Sequence, residues 1–285
     1  MASVANLAGS RSEDSIPWRR ALTNRRASIT YTQNFEEGAR IMEKPMLFEV
    51  ENGIAVITLN RPERRNSINQ SLLVHFYDAI DEVASNKEIK VAILTGSGKS
   101  FCSGMDLSVI GTENLLDPRG DGKDFPDVIG GCKKPIIGAV NGHAITGGFE
   151  IALNCDFLIA SERASFADTH VRVGLHPGWG MTQLLQQAVG QRVAKQISFS
   201  GQFVSAQKAL EIGLVNEVVA HDELLPRTIE IARDICAANQ EVLAGMKGLI
   251  EFRNQASLNE ALAEERRSIQ EFIRRALEAI KSGSS

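Results

Sequence analysis

The sequence predicts an α/β fold, on three observations. Short apolar runs of strand length recur between residues 46 and 160, and stretches with apolar residues at helical spacing separate them. From Ser205 onward the chain reads as helix, apart from Val215–Val219. With 285 residues the chain can bury one large core, or one core with a helical subdomain attached.

Residues 1–44 differ from the rest, with Ser, Thr, Asn and Arg dominant and no periodicity. Arg11, Arg19, Arg20, Arg25 and Arg26 in a relatively acid-poor stretch suggest an organelle transit peptide. Glu13 and Asp14 count against it, and a disordered tail or an over-extended start upstream of Met42 explains the composition as well. Met46–Val50 and Ile54–Leu59 then flank Asn52-Gly53, the strongest short hairpin signal. Asn60–Asn69 is a polar loop, and Leu73, Phe76, Ile80 and Val83 trace one face of a helix over 71–84. Val91–Thr95 is a buried-strand run. The loop Thr95-Gly-Ser-Gly-Lys-Ser100 imitates a phosphate-binding loop, but Ile93 stands where that motif needs its first glycine, and Phe101-Cys-Ser-Gly104 follows instead of a helix. Phe101–Leu107 supplies a second strand-then-glycine turn, and Gly111–Lys123 reads as a polar, mobile loop.

Pro135–Val140 reads as a buried strand leading into Asn141–Asp156, the stretch around which the chain is organised. Gly147-Gly148 precedes a helix over Phe149–Cys155, with Glu150 in its first turn. Strand, glycine turn and helix start aim backbone N–H groups outward, where they can hold an oxygen gaining negative charge. Glu150 is placed either for proton transfer or simply to complement the helix dipole. Phe157–Ala160 is a further strand, Ser165–His170 and Leu175–Gly180 are loops, and Met181–Ala188 is a helix. Leu258, Leu262, Ile269, Phe272, Ile273, Leu277 and Ile280 form one apolar stripe on the last helix, which has to pack on the core or on another subunit.

A net charge of −4 with no basic stripe argues against a nucleic-acid partner. No segment approaches the roughly 18 uninterrupted apolar residues of a membrane span. Cys102, Cys132, Cys155 and Cys236 show no CxxC pair and read as reduced, mostly buried thiols of an intracellular protein. The five histidines are scattered, so no metal site is expected.

Four ordered segments together resemble the enoyl-CoA hydratase/isomerase, or crotonase, family over about residues 46–280. They are Asn60-Arg-Pro…Asn66-Ser67, Phe101-Cys-Ser-Gly-Met-Asp-Leu107, Lys134-Pro135…Asn141-Gly142…Gly147-Gly148-Phe-Glu150, and Cys155-Asp156. The resemblance implies a spiral of stacked ββα turns over 45–204 and a helical oligomerisation region over 205–285 that assembles trimers or hexamers. It implies an acyl-CoA thioester as substrate, with coenzyme A part of that substrate and no separate cofactor. The Met105 and Gly147 N–H groups would grip the thioester oxygen, Arg64, Arg65, Ser67, Ser103 and Gly104 would line the CoA moiety, and Asp106 would cap the turn after the first donor. Of the family's two catalytic glutamates, the first falls on Glu150 and the second on His170, beside an atypical Asp168-Thr169. His170 either shares proton transfer with Glu150 or is a structural residue bonded to a neighbour such as Asp168. Trp179 fills a position normally small, where it reshapes the acyl end of the pocket or packs in the core. The resemblance favours hydration of a 2-enoyl-CoA. Isomerisation, thioester hydrolysis, decarboxylation and non-catalytic acyl-CoA carriage are the alternatives. A cytoplasmic location is expected, or the mitochondrial matrix if the Arg-rich tail is a transit peptide.

Overall fold

The computed structural model describes residues 44–281, so the expected tail lies outside them except for its last residue. The expected hairpin is formed by β1 (Met46–Glu51) and β2 (Ile54–Leu59), paired antiparallel from Glu51 opposite Ile54. Asn52 and Gly53 sit at φ 52° and 83°, the two positive values a type I′ turn requires. Helix α1 (Gln70–Ser85) starts at Asn69, whose side chain accepts the Leu72 N–H, and its predicted apolar face is wholly buried.

Three repeats of strand, strand and helix follow. The first is β3 (Val91–Gly96), β4 (Ser100–Cys102) and α2 (Phe125–Gly130); the second is β5 (Ile136–Val140), β6 (His143–Ile145) and α3 (Gly147–Leu153). The third is β7 (Phe157–Ser161), β8 (Ser165–Ala167) and α4 (His170–Val173). After α5 (Met181–Val189) and α6 (Gln191–Ser200) come β9 (Val204–Ser205), α7 (Ala206–Glu211) and β10 (Glu217–Val219). The described residues end in α8 (Leu224–Ala237), α9 (Gln240–Phe252) and α10 (Leu258–Lys281). The first strand of each repeat enters one sheet, ordered β1-β2-β3-β5-β7-β10, and the second enters another, ordered β4-β6-β8-β9. Parallel pairing of β3, β5 and β7, and of β4, β6 and β8, stacks the repeats as the expected spiral.

β3 is buried along its whole length because both faces of its sheet are covered. Ala92 and Leu94 join the main core with Phe76, Phe101, Phe149 and Phe166, while Val91 and Ile93 join Ile137, Ala139 and Ile159 against Leu224 and Ala232 of α8. The region after residue 204 thus returns to both sheets, through β9 beside β8 and β10 beside β7. The Gly111–Lys123 loop, expected to be mobile, is tied to α1 by Arg119, which pairs with Asp78 and Asp81 there and with Asp121. Cys102, Cys132 and Cys155 are buried, as expected. The apolar stripe on α10 is exposed rather than packed on the core of its own chain. No described helix is long and apolar enough to cross a membrane.

Candidate active site

Two turns bring two backbone nitrogens together. In one, the Ile68 N–H donates to Gly104 O and the Asp106 N–H to Ile68 O, both at 2.8 Å. Alternation along the extended chain then aims the intervening Met105 N–H to the opposite side. In the other, Thr146 takes φ 53° and ψ −115°, values a β-branched residue rarely adopts. Its N–H donates to Ala167 O at 2.9 Å and its hydroxyl lies 2.5 Å from that of Thr169. The next residue, Gly147, opens α3, so its N–H has no acceptor within the helix. A Cβ on Gly147 would lie 3.7 Å from the Met105 nitrogen, and one on Gly104 would lie 3.4 Å from the Gly147 nitrogen, so the two turns meet there. Gly148 permits the approach, since a Cβ there would meet Cys102 O at 2.1 Å.

The Asn60–Asn69 loop packs beside this point. Ser103 N–H donates to Arg65 O at 3.1 Å, and Arg61 reaches both Ser67 O and, at 3.2 Å, the Asp106 carboxylate. Asp106 caps the short turn over Leu107–Val109 as expected, and its carboxyl is held below the usual range by the Ser108 hydroxyl and, more weakly, by Arg61. Arg64, Arg65, Ser67, Ser103 and Gly104 therefore share one patch next to Met105. The two arginines are exposed, whereas the Ser67 hydroxyl turns inward onto Asp106 at 3.4 Å. Burial pushes the neighbouring Cys102 thiol up to about 12, which keeps it from acting as a thiolate at neutral pH.

Asn66 fixes the loop. Fully buried at φ 55°, it accepts the Arg61 N–H at 2.8 Å and donates to Ser97 O, Ser100 O and Phe101 O at 2.9, 2.8 and 3.1 Å. Asn66→Ala strands several buried backbone groups and is expected to cost about 2–4 kcal/mol of stability. A denaturant midpoint unchanged from the wild type would contradict this role.

The side-chain chemistry gathers on α3 and α4. Glu150, Asp168 and His170 are 2, 3 and 7% exposed, so their charges interact with little screening by water. Glu150 Oε1 accepts the N–H groups of Trp179 at 2.8 Å and Met181 at 3.2 Å, which leaves Oε2 facing His170 Nε2 at 3.6 Å. Burial raises the Glu150 carboxyl above its ordinary range, outweighing those two donors and His170, which act to lower it. Asp168 Oδ1 lies 2.7 Å from His170 Nδ1. Burial alone would raise Asp168, but hydrogen bonds from His170 and Ser198 together hold it below its usual value. Asn154, at the end of α3, donates to Trp179 O at 2.7 Å and so keeps the 178–181 turn against Glu150. The Trp179 ring stacks on Phe125 at 4.9 Å and is buried, so of its two expected placements the core holds. Sequence reasoning quoted Arg61 and Asn66 within a family segment but gave neither a role, and gave none to Thr146; of these only Asn66 carries a local signal, the tolerance of asparagine for positive φ.

The chain matches the model of the family described as enoyl-CoA hydratase/isomerase over residues 49–283. It is 41% identical over 219 residues to the probable enoyl-CoA hydratase 1, peroxisomal, of Arabidopsis thaliana, covering 75% of this chain and 81% of that protein. It is 38% identical over 227 residues to the short-chain-enoyl-CoA hydratase of Clostridium acetobutylicum, covering 76% and 85%. Among solved structures, an enoyl-CoA hydratase from Mycobacterium avium superposes with a TM-score of 0.67 at 36% identity, covering 82% of this chain and 99% of that one. One from Bacillus anthracis superposes at 0.75 with 31% identity, covering 84% and 96%. By sequence and by fold, the chain belongs to the enoyl-CoA hydratase/isomerase family.

Proposed function

We propose that the protein hydrates 2-enoyl-CoA thioesters, with Glu150 and His170 as the proton-transferring pair. The observation that carries this reading is the Glu150 carboxylate, buried, with Oε1 pinned by two backbone N–H groups and Oε2 free toward His170 Nε2 at 3.6 Å. The thioester oxygen sits between the Met105 and Gly147 N–H groups, each donor worth about 3–4 kcal/mol as the oxygen gains charge. Glu150 takes a proton from water as its oxygen adds to C3, and C2 is protonated from the His170 side. The CoA moiety runs past Arg64, Arg65, Ser67, Ser103 and Gly104, and water is the only other reactant. Replacement of the second family glutamate by His170 keeps a second reading open, in which the same pair moves a proton between carbons and isomerises the double bond. Turnover of a panel of short- and long-chain 2-enoyl-CoA esters, measured beside their affinities, tests the proposal. Tight binding without turnover would replace it with a carrier.

The same reading includes assembly into a trimer or hexamer. The exposed stripe from Leu258 to Ile280 would be covered between subunits, since a lone chain leaves it in water. Light scattering at micromolar concentration is expected to give three or six times the chain mass, and a monodisperse monomer would contradict it. The working location is the cytoplasm; import of a fluorescent fusion to residues 1–44 into mitochondria would favour the matrix.

A further inference from the structure

Resting on the hydratase reading, we infer that Asp168 is a positioning residue for the reaction, fixing His170 so that Nε2 faces the substrate and the Asp168–His170 pair stands in for a second carboxylate. Asp168 Oδ1 lies 2.7 Å from His170 Nδ1 and 3.1 Å from the His170 backbone nitrogen. An ionised carboxylate only accepts, so both of these nitrogens carry protons and Nε2 is the one left to exchange. The backbone N–H holds the Asp168 oxygen in place and the Nδ1–H bond to that oxygen stops the ring from turning, so Nε2 points at Glu150 Oε2, 3.6 Å away. The charged groups facing the ring are Asp168 from its own turn and Glu150 from α3; α6 contributes the neutral Ser198 hydroxyl, which bonds to Asp168.

The arrangement closes a proton cycle. At the start Asp168 and Glu150 are ionised and His170 is the imidazolium that Asp168 stabilises. Water bonds to C3 through its oxygen and gives one proton to Glu150 Oε2. The C2–C3 π pair moves toward the thioester as the enolate, and C2 then takes the Nε2 proton. The product is the 3-hydroxyacyl thioester, left beside a protonated Glu150 and a neutral His170. The proton returns from Oε2 to Nε2 across the 3.6 Å gap, directly or through one water, and the site is reset with no net charge moved.

The test combines kinetics with nitrogen-15 histidine NMR of the full chain. Asp168→Asn and Asp168→Ala are made in the wild-type and His170→Ala backgrounds. Wild-type His170 is expected to carry its proton on Nδ1 in the neutral form. Asp168→Asn is expected to lower kcat about 10²-fold or more, with KM changing much less, and to release the neutral His170 ring from its Nδ1-protonated form. In the His170→Ala background the same change is expected to add nothing, because Asp168 acts through the ring. An equal further loss in that background would make Asp168 structural and overturn the inference. So would wild-type kinetics in Asp168→Asn, or a wild-type ring protonated on Nε2 alone. If the Asp168 variants do not fold, the wild-type spectrum decides. Absence of turnover on every 2-enoyl-CoA ester would instead refute the hydratase reading, leaving the ring assignment to the spectrum.

Discussion

Glu150→Gln is expected to lower kcat on 2-enoyl-CoA esters about 10²–10⁴-fold while leaving their affinity nearly intact. The amide keeps the shape of the side chain and an oxygen for the Trp179 and Met181 N–H groups. Only the basic Oε2 is lost, and that is the atom proposed to take the proton from water. The same change should raise stability. Burial raises the Glu150 carboxyl in the folded state. A group raised in this way stabilises fully only below its unfolded value, and the contribution is lost as pH rises through the folded value. At neutral pH the wild type bears that penalty and the glutamine variant does not. Its Tm is expected to be higher there, with the difference closing below the carboxylate range. A variant with most of the wild-type rate would remove Glu150 from the mechanism. One that melts lower than wild type at neutral pH would show that the buried charge is offset by its donors.

His170→Ala is expected to be nearly as damaging, lowering kcat about 10²-fold or more with KM changing much less. His170→Glu restores two carboxylates, but places the new one beside Asp168. Like charges this close raise one of the pair, which would keep a carboxyl protonated as the acid. Loss in the alanine variant with recovery in the glutamate variant supports a hydratase whose acid has been exchanged. Loss in both supports chemistry specific to imidazole, as in the isomerase reading. No change in either, with unaltered ligand affinity, would reduce His170 to a structural residue.

Much of the scaffold was legible because its signals are local. Asn52-Gly53 admits positive φ at both turn positions, and the apolar run of β3 needs cover on both faces whatever lies around it. The stripe on α10 was legible as periodicity, although what covers it depends on other chains. The second sheet was harder to read: β4, β6 and β8 have three residues each, too few for an alternation to stand out. In the site, Glu150, His170, Met105 and Gly147 came from motif spacing, and the structure puts Glu150 beside His170 and Met105 beside Gly147. The supports were not legible. Glu150 is held by the backbone of residues 179 and 181, and Asn66 clamps carbonyls some 31–35 residues away, contacts that no window of sequence contains. Thr146 reads as an ordinary polar residue, and only the fold forces its positive φ.

The central claim is that this site adds water across the double bond of an acyl-CoA thioester. It is tested most directly by incubating the protein with a 2-enoyl-CoA ester in oxygen-18-labelled deuterium oxide and weighing the product. The expected product has gained one water, with the labelled oxygen on C3 and one deuterium on C2. An ester with its double bond moved and no labelled oxygen, with or without deuterium, would contradict hydration, as would free CoA with the label in a released carboxylate.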